Sequence, residues 1–124
     1  MVNDDILSSI KQQLGIPNDV VAFDPELRIH INGILRTINE IGIGSRTYSI
    51  PDDTGGSWKA FIDLEDPAEP EMLDQLPVYT YLRIRLLFDP PTNAFLVTSL
   101  KEQAKELEWR LEVWGRNIKE EDNE

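Results

Sequence analysis

Two segments of the N-terminal half carry apolar residues at the spacing of an amphipathic helix. In residues 3–14 this spacing predicts a first helix. Asn3 or Asp4 is expected to cap its free amide groups, and Gly15 followed by Pro17 is a stop signal. The apolar stripe of this helix consists of Ile6, Leu7, Ile10 and Leu14.

The second helical pattern begins at Asp24-Pro25-Glu26. An acid that can cap a helix is followed there by a proline suited to the first helical position. Gly42 and Gly44 are expected to end this helix. Its apolar stripe consists of Leu27, Ile31, Ile34, Leu35, Ile38 and Ile41.

Periodicity weakens in residues 43–70, which predicts a partly irregular insertion between the second and third helices. Residues 47–50 are compatible with a short strand or hairpin. Ser57 is expected to cap a single helical turn that points Trp58 and Phe61 inward. Residues 63–71 form an acidic loop broken by prolines.

Residues 72–88 fit two periodicities. A strand would place Leu82, Ile84 and Leu86 on one face and Arg83 and Arg85 on the other. A helix would carry two apolar stripes, Tyr79, Leu82 and Leu86 in one and Tyr81, Ile84 and Phe88 in the other. The length of the pattern favours a helix, because strands usually have about five or six residues. Pro77 then lies in the first turn or produces a kink.

The most regular pattern lies in residues 91–114 and predicts a helix roughly 36 Å long, at about 1.5 Å per residue. Thr92 or Asn93 is expected to cap it and Gly115 to end it. Its seam consists of Leu100, Ala104, Leu107, Leu111 and Trp114, extended backwards by Phe95, Leu96 and Val97.

These patterns predict an all-α fold, a small bundle of about four helices. Residues 1–115 are expected to form a single helical domain, and residues 116–124 an acidic, flexible tail.

Composition and charge narrow the classes of function. The 124 residues are 40% hydrophobic and 28% charged, as in an ordinary globular protein, and the absence of cysteine excludes disulfides and thiolate metal ligands. A net charge of -11 opposes nucleic acid and anionic membranes as primary partners. The same charge opposes self-association unless a specific interface outweighs it, so weak self-association, or a monomer, is expected in isolation. No transmembrane segment or signal peptide is expected.

The chain offers few groups for catalysis. His30 is the sole histidine and is expected at the boundary of the second helix, and no serine lies in a nucleophile motif. The irregular insertion contains five acids whose oxygens would suit Ca²⁺ or Mg²⁺: Asp63, Glu65, Asp66, Glu69 and Glu71. Their spacing does not match an EF-hand, so a solvated acidic loop is favoured. We therefore expect neither an enzyme nor a cofactor or metal.

A few charged and aromatic residues are candidates for contacts with other proteins. Two arrangements are open for Arg83 and Arg85. Their aliphatic portions pack along the core boundary with the guanidinium groups in water, or the guanidinium groups bind carboxylates of a neighbouring subunit. Trp114 falls on the apolar seam, whereas Trp109 falls off it, at a position that a monomer would expose. The candidate interface residues are Arg83, Arg85, Trp109, Arg110, Trp114 and Arg116.

A hard joint separates the last two helical patterns at Phe88-Asp89-Pro90-Pro91, which we call the corner. Pro90 disfavours helical geometry at Asp89, and Pro91 suits the first turn of the next helix. The corner is therefore predicted to set the direction of the last helix and to have no chemistry of its own.

Residues 79–112 resemble the head-tail connector, or head-completion adaptor, proteins of tailed bacteriophages and prophages. The matching features are an apolar helix with basic interruptions, the corner, and a helix that contains the sequence LEWRL at residues 107–111. Residues 6–16 and 31–44 are similar too, so the resemblance extends over residues 4–112.

The resemblance implies a structural protein of the virion neck, assembled in the host cytoplasm. Such proteins bind beneath the portal ring after DNA packaging, form a ring that is typically dodecameric, and present a surface to the next neck, stopper or tail-completion protein. From the net charge of -11 we expect DNA to pass through such a ring without specific binding. In relatives a C-terminal helix or tail engages the portal, which corresponds here to the segment after Leu111. The resemblance brings no catalytic residues.

Two other functions fit parts of the sequence. The net charge of -11 suits a small acidic helical binding protein, such as a phage-encoded inhibitor or DNA mimic of a host protein. The acids of residues 63–71 would suit a metal-dependent hydrolase. The connector interpretation is favoured, because the apolar seam of the last helix is built for packing.

Overall fold

The structure is a computed structural model that describes residues 4–52, 54–62 and 74–122, with side chains up to Arg116. Over these residues the chain forms five helices: α1 (Ile6–Leu14), α2 (Asp24–Ile41), α3 (Trp58–Ile62), α4 (Gln75–Leu87) and α5 (Ala94–Asp122). No strand occurs in the described ranges, where Asp5 and Ser57 form an isolated bridge. The predicted all-α class is confirmed.

The start of α1 lies later in the chain than the pattern predicts. Asp5 is the cap, because its carboxylate accepts a hydrogen bond from the Ser8 N–H at 2.7 Å. Asp4 instead accepts hydrogen bonds from the Ser57 hydroxyl at 2.6 Å and the Lys59 N–H at 3.0 Å. The prediction of Asp4 as the cap is therefore wrong, and Asn3 lies outside the described residues. Asp4 ties the start of the chain to α3.

The bounds of α2 agree with the prediction, but its predicted cap does not. Asp24 is the first helical residue, and the preceding position has no side-chain capping bond. The Asp24 carboxylate lies 2.9 Å from the ammonium of Lys11, a side chain only 3% exposed. Lys11 also donates to the carbonyl oxygens of Asn18 at 3.2 Å and Val20 at 2.7 Å. One buried ammonium thus holds the loop between α1 and α2.

The irregular insertion packs on the first two helices. Residues 47–50 do not form the expected strand, and the Ile50 N–H instead donates to the Asn32 side chain at 2.8 Å. Ser57 caps α3 as predicted, accepting a hydrogen bond from the Ala60 N–H at 3.2 Å. Trp58 and Phe61 are buried, also as predicted. The acidic loop at residues 63–71 lies outside the described residues.

The helical interpretation of residues 72–88 is confirmed by α4, with Pro77 in its first turn. This helix contacts α1, α2 and α5. Its central place explains the two apolar stripes, because Tyr79 and Leu82 from one stripe and Ile84 from the other are all buried.

The predicted cap of the last helix is confirmed, but its predicted end is not. The Asn93 side chain caps α5 by accepting a hydrogen bond from the Phe95 N–H at 2.8 Å. Because α5 begins at Ala94, Pro91 precedes the helix, and the prediction that it lies in the first turn is wrong. The helix continues through Gly115 to Asp122, so the predicted stop at Gly115 is wrong. A Cβ at Gly115 would lie 2.4 Å from the Ile41 carbonyl oxygen. The glycine therefore permits α5 to approach the end of α2 closely.

The core is shared among all five helices. Its buried members include Ile6, Ile10, Leu27, Ile31, Leu35, Ile38, Trp58, Phe61, Leu76, Tyr79, Ile84, Leu111 and Trp114. Because α4 and α5 both contribute, the direction of α5 after the corner is fixed by packing as well as by local backbone geometry.

Candidate protein-interaction surfaces

The corner is a change of backbone direction held by contacts on both sides. Asp89 adopts a φ of 54°, in the left-handed region that a residue with a side chain rarely occupies. Its carboxylate accepts a hydrogen bond from Arg85 at 3.0 Å. Phe88 packs edge-on against Phe23 with ring centroids 5.4 Å apart. The prediction that Asp89 leaves helical geometry before Pro90 is confirmed.

Large apolar side chains are exposed on either side of the corner. The exposed fractions are 57% for Leu87, 80% for Phe95 and 51% for Leu96. We call these three residues the apolar tip. The expectation that Phe95 and Leu96 extend the buried seam is therefore wrong. The sequence carries a signal for this surface, since residues 90–100 contain no charged side chain in an otherwise highly charged chain.

The two candidate arginines of α4 both have partners within the chain. Arg83 donates a hydrogen bond to the Tyr79 hydroxyl at 2.8 Å, and that hydroxyl donates to the Glu108 carboxylate at 3.0 Å. Burial raises the pKa of the Tyr79 phenol to about 12, with Arg83 opposing the shift and Glu108 adding to it. Arg85 pairs with Asp89. Both arginines thus fix α4 relative to its neighbours, and Glu108 is a partner that the sequence pattern did not identify.

The two tryptophans of α5 lie on opposite sides of the helix, as predicted. Trp114 is 3% exposed and belongs to the core, whereas Trp109 is 62% exposed. Arg110, beside Trp109, pairs with Glu106 at 2.8 Å on the surface of the helix. An exposed indole that covers no part of its own core is typical of a residue that contacts another protein.

The exposed side of α5 carries a line of residues seven positions apart. Phe95, Glu102, Trp109 and Arg116 are all exposed and lie opposite the buried side of the helix. We call this line the outward face. A spacing of seven keeps residues on one side of a helix over several turns.

A groove with a volume of about 340 Å³ lies where the end of α2 meets α5. Three carboxylates and one guanidinium contribute to its walls, so it carries a negative charge. The lining residues are Thr37, Glu40, Ile41, Glu108, Glu112 and Arg116. Arg116 therefore lies at the edge of both this groove and the outward face.

In the described ranges, the residues considered for catalysis or metal binding do not come together in one site. His30 is partly exposed and lies 3.7 Å from Glu26, as expected of a boundary residue. No group of three or more histidine or acidic side chains there could hold a metal ion. The acids of residues 63–71 are outside those ranges. No described helix has the length and apolar character needed to cross a bilayer.

A family model described as phage connector protein matches residues 6–117 of the chain. The matched stretch contains α1 to α4, the corner, and α5 up to the residue after Arg116. Comparison with curated proteins and comparison with solved structures each give no match. Every surface described above lies within the stretch that the family model covers.

Proposed function

Since this chain belongs to the phage connector protein family, we propose that it forms a ring beneath the portal and links the DNA-filled head to the neck or tail. A connector is a structural component of the phage particle, and the family implies an association with the virion. The observation that carries the proposal is the match over residues 6–117, which includes both the corner and the outward face.

The surfaces proposed for contact with partners lie on the last helix and beside the corner. Trp109, Arg110 and Arg116 are exposed and free of core packing, which suits contact with the portal or with a neighbouring subunit. Trp114 is buried and acts by holding α5 against the bundle. The segment after Leu111 is proposed to engage the portal, and the apolar tip to contact the next neck or tail protein.

Arg83 and Arg85 have a different place in this proposal. Each arginine side chain is about one-third exposed, and its guanidinium already meets a carboxylate of its own chain. A neighbouring subunit would add to these pairs and would not supply their first partner. Their proposed contribution is to fix the angle of α4 and the corner, and so the direction in which α5 leaves the bundle.

The net charge of -11 is proposed to prevent DNA from adhering to the ring. Affinity for the phosphate backbone comes largely from its neutralisation by cations, so an acidic channel would let DNA pass without specific binding. Repulsion between acidic copies also makes a preformed portal the natural template for a typically dodecameric ring. A structure of the assembled ring with lysine and arginine side chains lining the channel would contradict this part of the proposal.

The proposal is tested by capture on purified portal protein, set beside capture from a host lysate. We expect retention by the portal, with Trp109→Ala reducing it and Ile29→Ala leaving it unchanged. Ile29 is the matched control, because it is also a large apolar residue exposed on a helix, at 71%. Capture of one host protein with no retention by the portal would favour the acidic inhibitor or DNA mimic, whose supporting observation is the net charge.

A further inference from the structure

We propose that the outward face of α5 binds the same face of a second copy of this chain, with the two helices antiparallel. The inference goes beyond the connector function and does not depend on it, since it concerns two free copies with no portal present. It rests on the spacing, the exposure and the charge of residues that the structure places on one line.

Spacing and exposure make the outward face suitable for a helix of a second copy. Glu102, Trp109 and Arg116 are separated by seven residues and all are exposed. Residues seven apart stay on the contact line when two helices cross at the shallow angle of a left-handed pair. Trp109 lies at the centre of this line, where a large aromatic side chain contributes most to an interface.

The charge of residues 94–116 within α5 permits two copies to meet there despite the net charge of the chain. Residues 94–116 contain Lys101, Lys105, Arg110 and Arg116 together with Glu102, Glu106, Glu108 and Glu112, so this stretch is neutral. The entire charge of -11 therefore lies elsewhere. Repulsion between two copies is smallest when they approach through α5, because charges farther apart are screened over about 8 Å at physiological salt.

The order of charges along the outward face selects the antiparallel orientation. Glu102 and Arg116 each lie two turns from Trp109, roughly 10.5 Å along the axis at 1.5 Å per residue. In an antiparallel pair centred on Trp109, Glu102 of each copy meets Arg116 of the other. A parallel pair would bring like charges together at both positions. Within the described part of the chain neither residue is in an ion pair.

Such a pair has two-fold symmetry and closes at two copies. A ring needs head-to-tail contacts, in which one patch meets a different patch of the neighbour. The antiparallel pair therefore covers Trp109 in a form that cannot extend into a ring. A contact between single helices buries a small area, so the pair is expected to be weak and to dissociate on dilution.

The test is sedimentation of the full chain over a concentration series at physiological salt, without portal. The average mass is expected to increase from one chain toward two. Trp109→Ala is expected to weaken association by about tenfold or more, as for a central aromatic contact, and Ile29→Ala to leave it unchanged. A mass of one chain at every concentration, or equal effects of the two variants, would overturn the proposal.

Charge reversal separates specific pairing from general repulsion. Glu102→Arg and Arg116→Glu are each expected to weaken association, and the double variant to restore it, because the complementary pairs are re-formed with the signs exchanged. Glu102→Arg makes the chain less negative, so general repulsion alone would predict the opposite effect. Stronger association of Glu102→Arg, or no recovery in the double variant, would contradict the antiparallel pair. Helix content measured by circular dichroism checks that each variant remains folded.

Discussion

Replacing Gly115 with alanine tests the close approach of α5 to the end of α2. In the structure a Cβ at this position would lie 2.4 Å from the carbonyl oxygen of Ile41 and 3.2 Å from its carbonyl carbon. Both are backbone atoms, so the overlap cannot be relieved by rotating a side chain. Gly115→Ala therefore requires the two helices to move apart.

The expected free-energy change has two opposing parts. Alanine inside a helix is more stable than glycine by about 1 kcal/mol. Overpacking a tight contact costs about 1–3 kcal/mol, and an overlap with backbone belongs in the upper half of that range. The net expectation is a loss of about 1–2 kcal/mol in the free energy of unfolding. For a domain of this size that lowers Tm by roughly 4–8 °C.

Gly33 provides the matched control for this experiment. It lies in the interior of α2, and a Cβ there would meet nothing within 4 Å. Gly33→Ala is therefore expected to raise the free energy of unfolding by about 0.5–1 kcal/mol. Urea denaturation followed by circular dichroism measures both variants on the same scale. The reasoning is refuted if the two substitutions stabilise the protein equally, since the sign at Gly115 depends entirely on its contact with Ile41.

Two further predictions concern polar groups that connect helices. Lys11→Ala is expected to cost about 3–5 kcal/mol in the free energy of unfolding, because the Asp24 carboxylate, only 13% exposed, would lose its cation. A change below about 1 kcal/mol in urea denaturation would show that the pair is solvated. The raised pKa of Tyr79 means that the phenol is more stable in its neutral form in the folded chain. This preference for the neutral phenol stabilises the folded chain fully below pH 10, and the stabilisation is lost as the pH rises toward 12. The urea midpoint of the unaltered chain is therefore expected to fall across that range more steeply than the midpoint of Tyr79→Phe.

Local sequence patterns predict a helix correctly where its apolar stripe coincides with the side that packs against other helices. The stripe of α2 from Leu27 to Ile38 is buried as predicted, and α2 packs against α1, α4 and α5. Ile41, the last predicted member of the stripe, is partly buried. The length of the apolar pattern predicts that α4 is a helix, although the alternation of Leu82, Ile84 and Leu86 is also compatible with a strand. Both stripes are used because α4 lies between three other helices.

The differences between prediction and structure arise from contacts distant in sequence. Asp4 and Asp5 are equivalent as caps by local pattern, and the choice is made by Ser57 and Lys59, which bind Asp4. The sequence pattern predicts that Gly115 ends the helix, whereas in the structure Gly115 lies within α5 against the Ile41 carbonyl. A glycine in a helical pattern signals either a stop or a close approach, and only the packing distinguishes them.

The exposed surfaces were partly predictable. Trp109 was identified because it falls off the apolar seam, and its exposure follows from helix geometry alone. Leu96 continues the spacing of the seam and is nevertheless 51% exposed. Phe95 instead lies on the outward face, so helix geometry already places it away from the seam. In the described part of the structure α1 and α2 do not cover the apolar tip, where Leu87 is exposed as well. Periodicity predicts which side a residue occupies but not how far along a helix its neighbours extend.

The central claim is that this member of the phage connector family assembles as a ring on the portal. The most direct test is electron microscopy of portal particles mixed with the purified chain. We expect a collar of additional density beneath the portal, repeating with the symmetry of the portal. Portal particles that remain bare at saturating concentrations of the folded chain would contradict the claim.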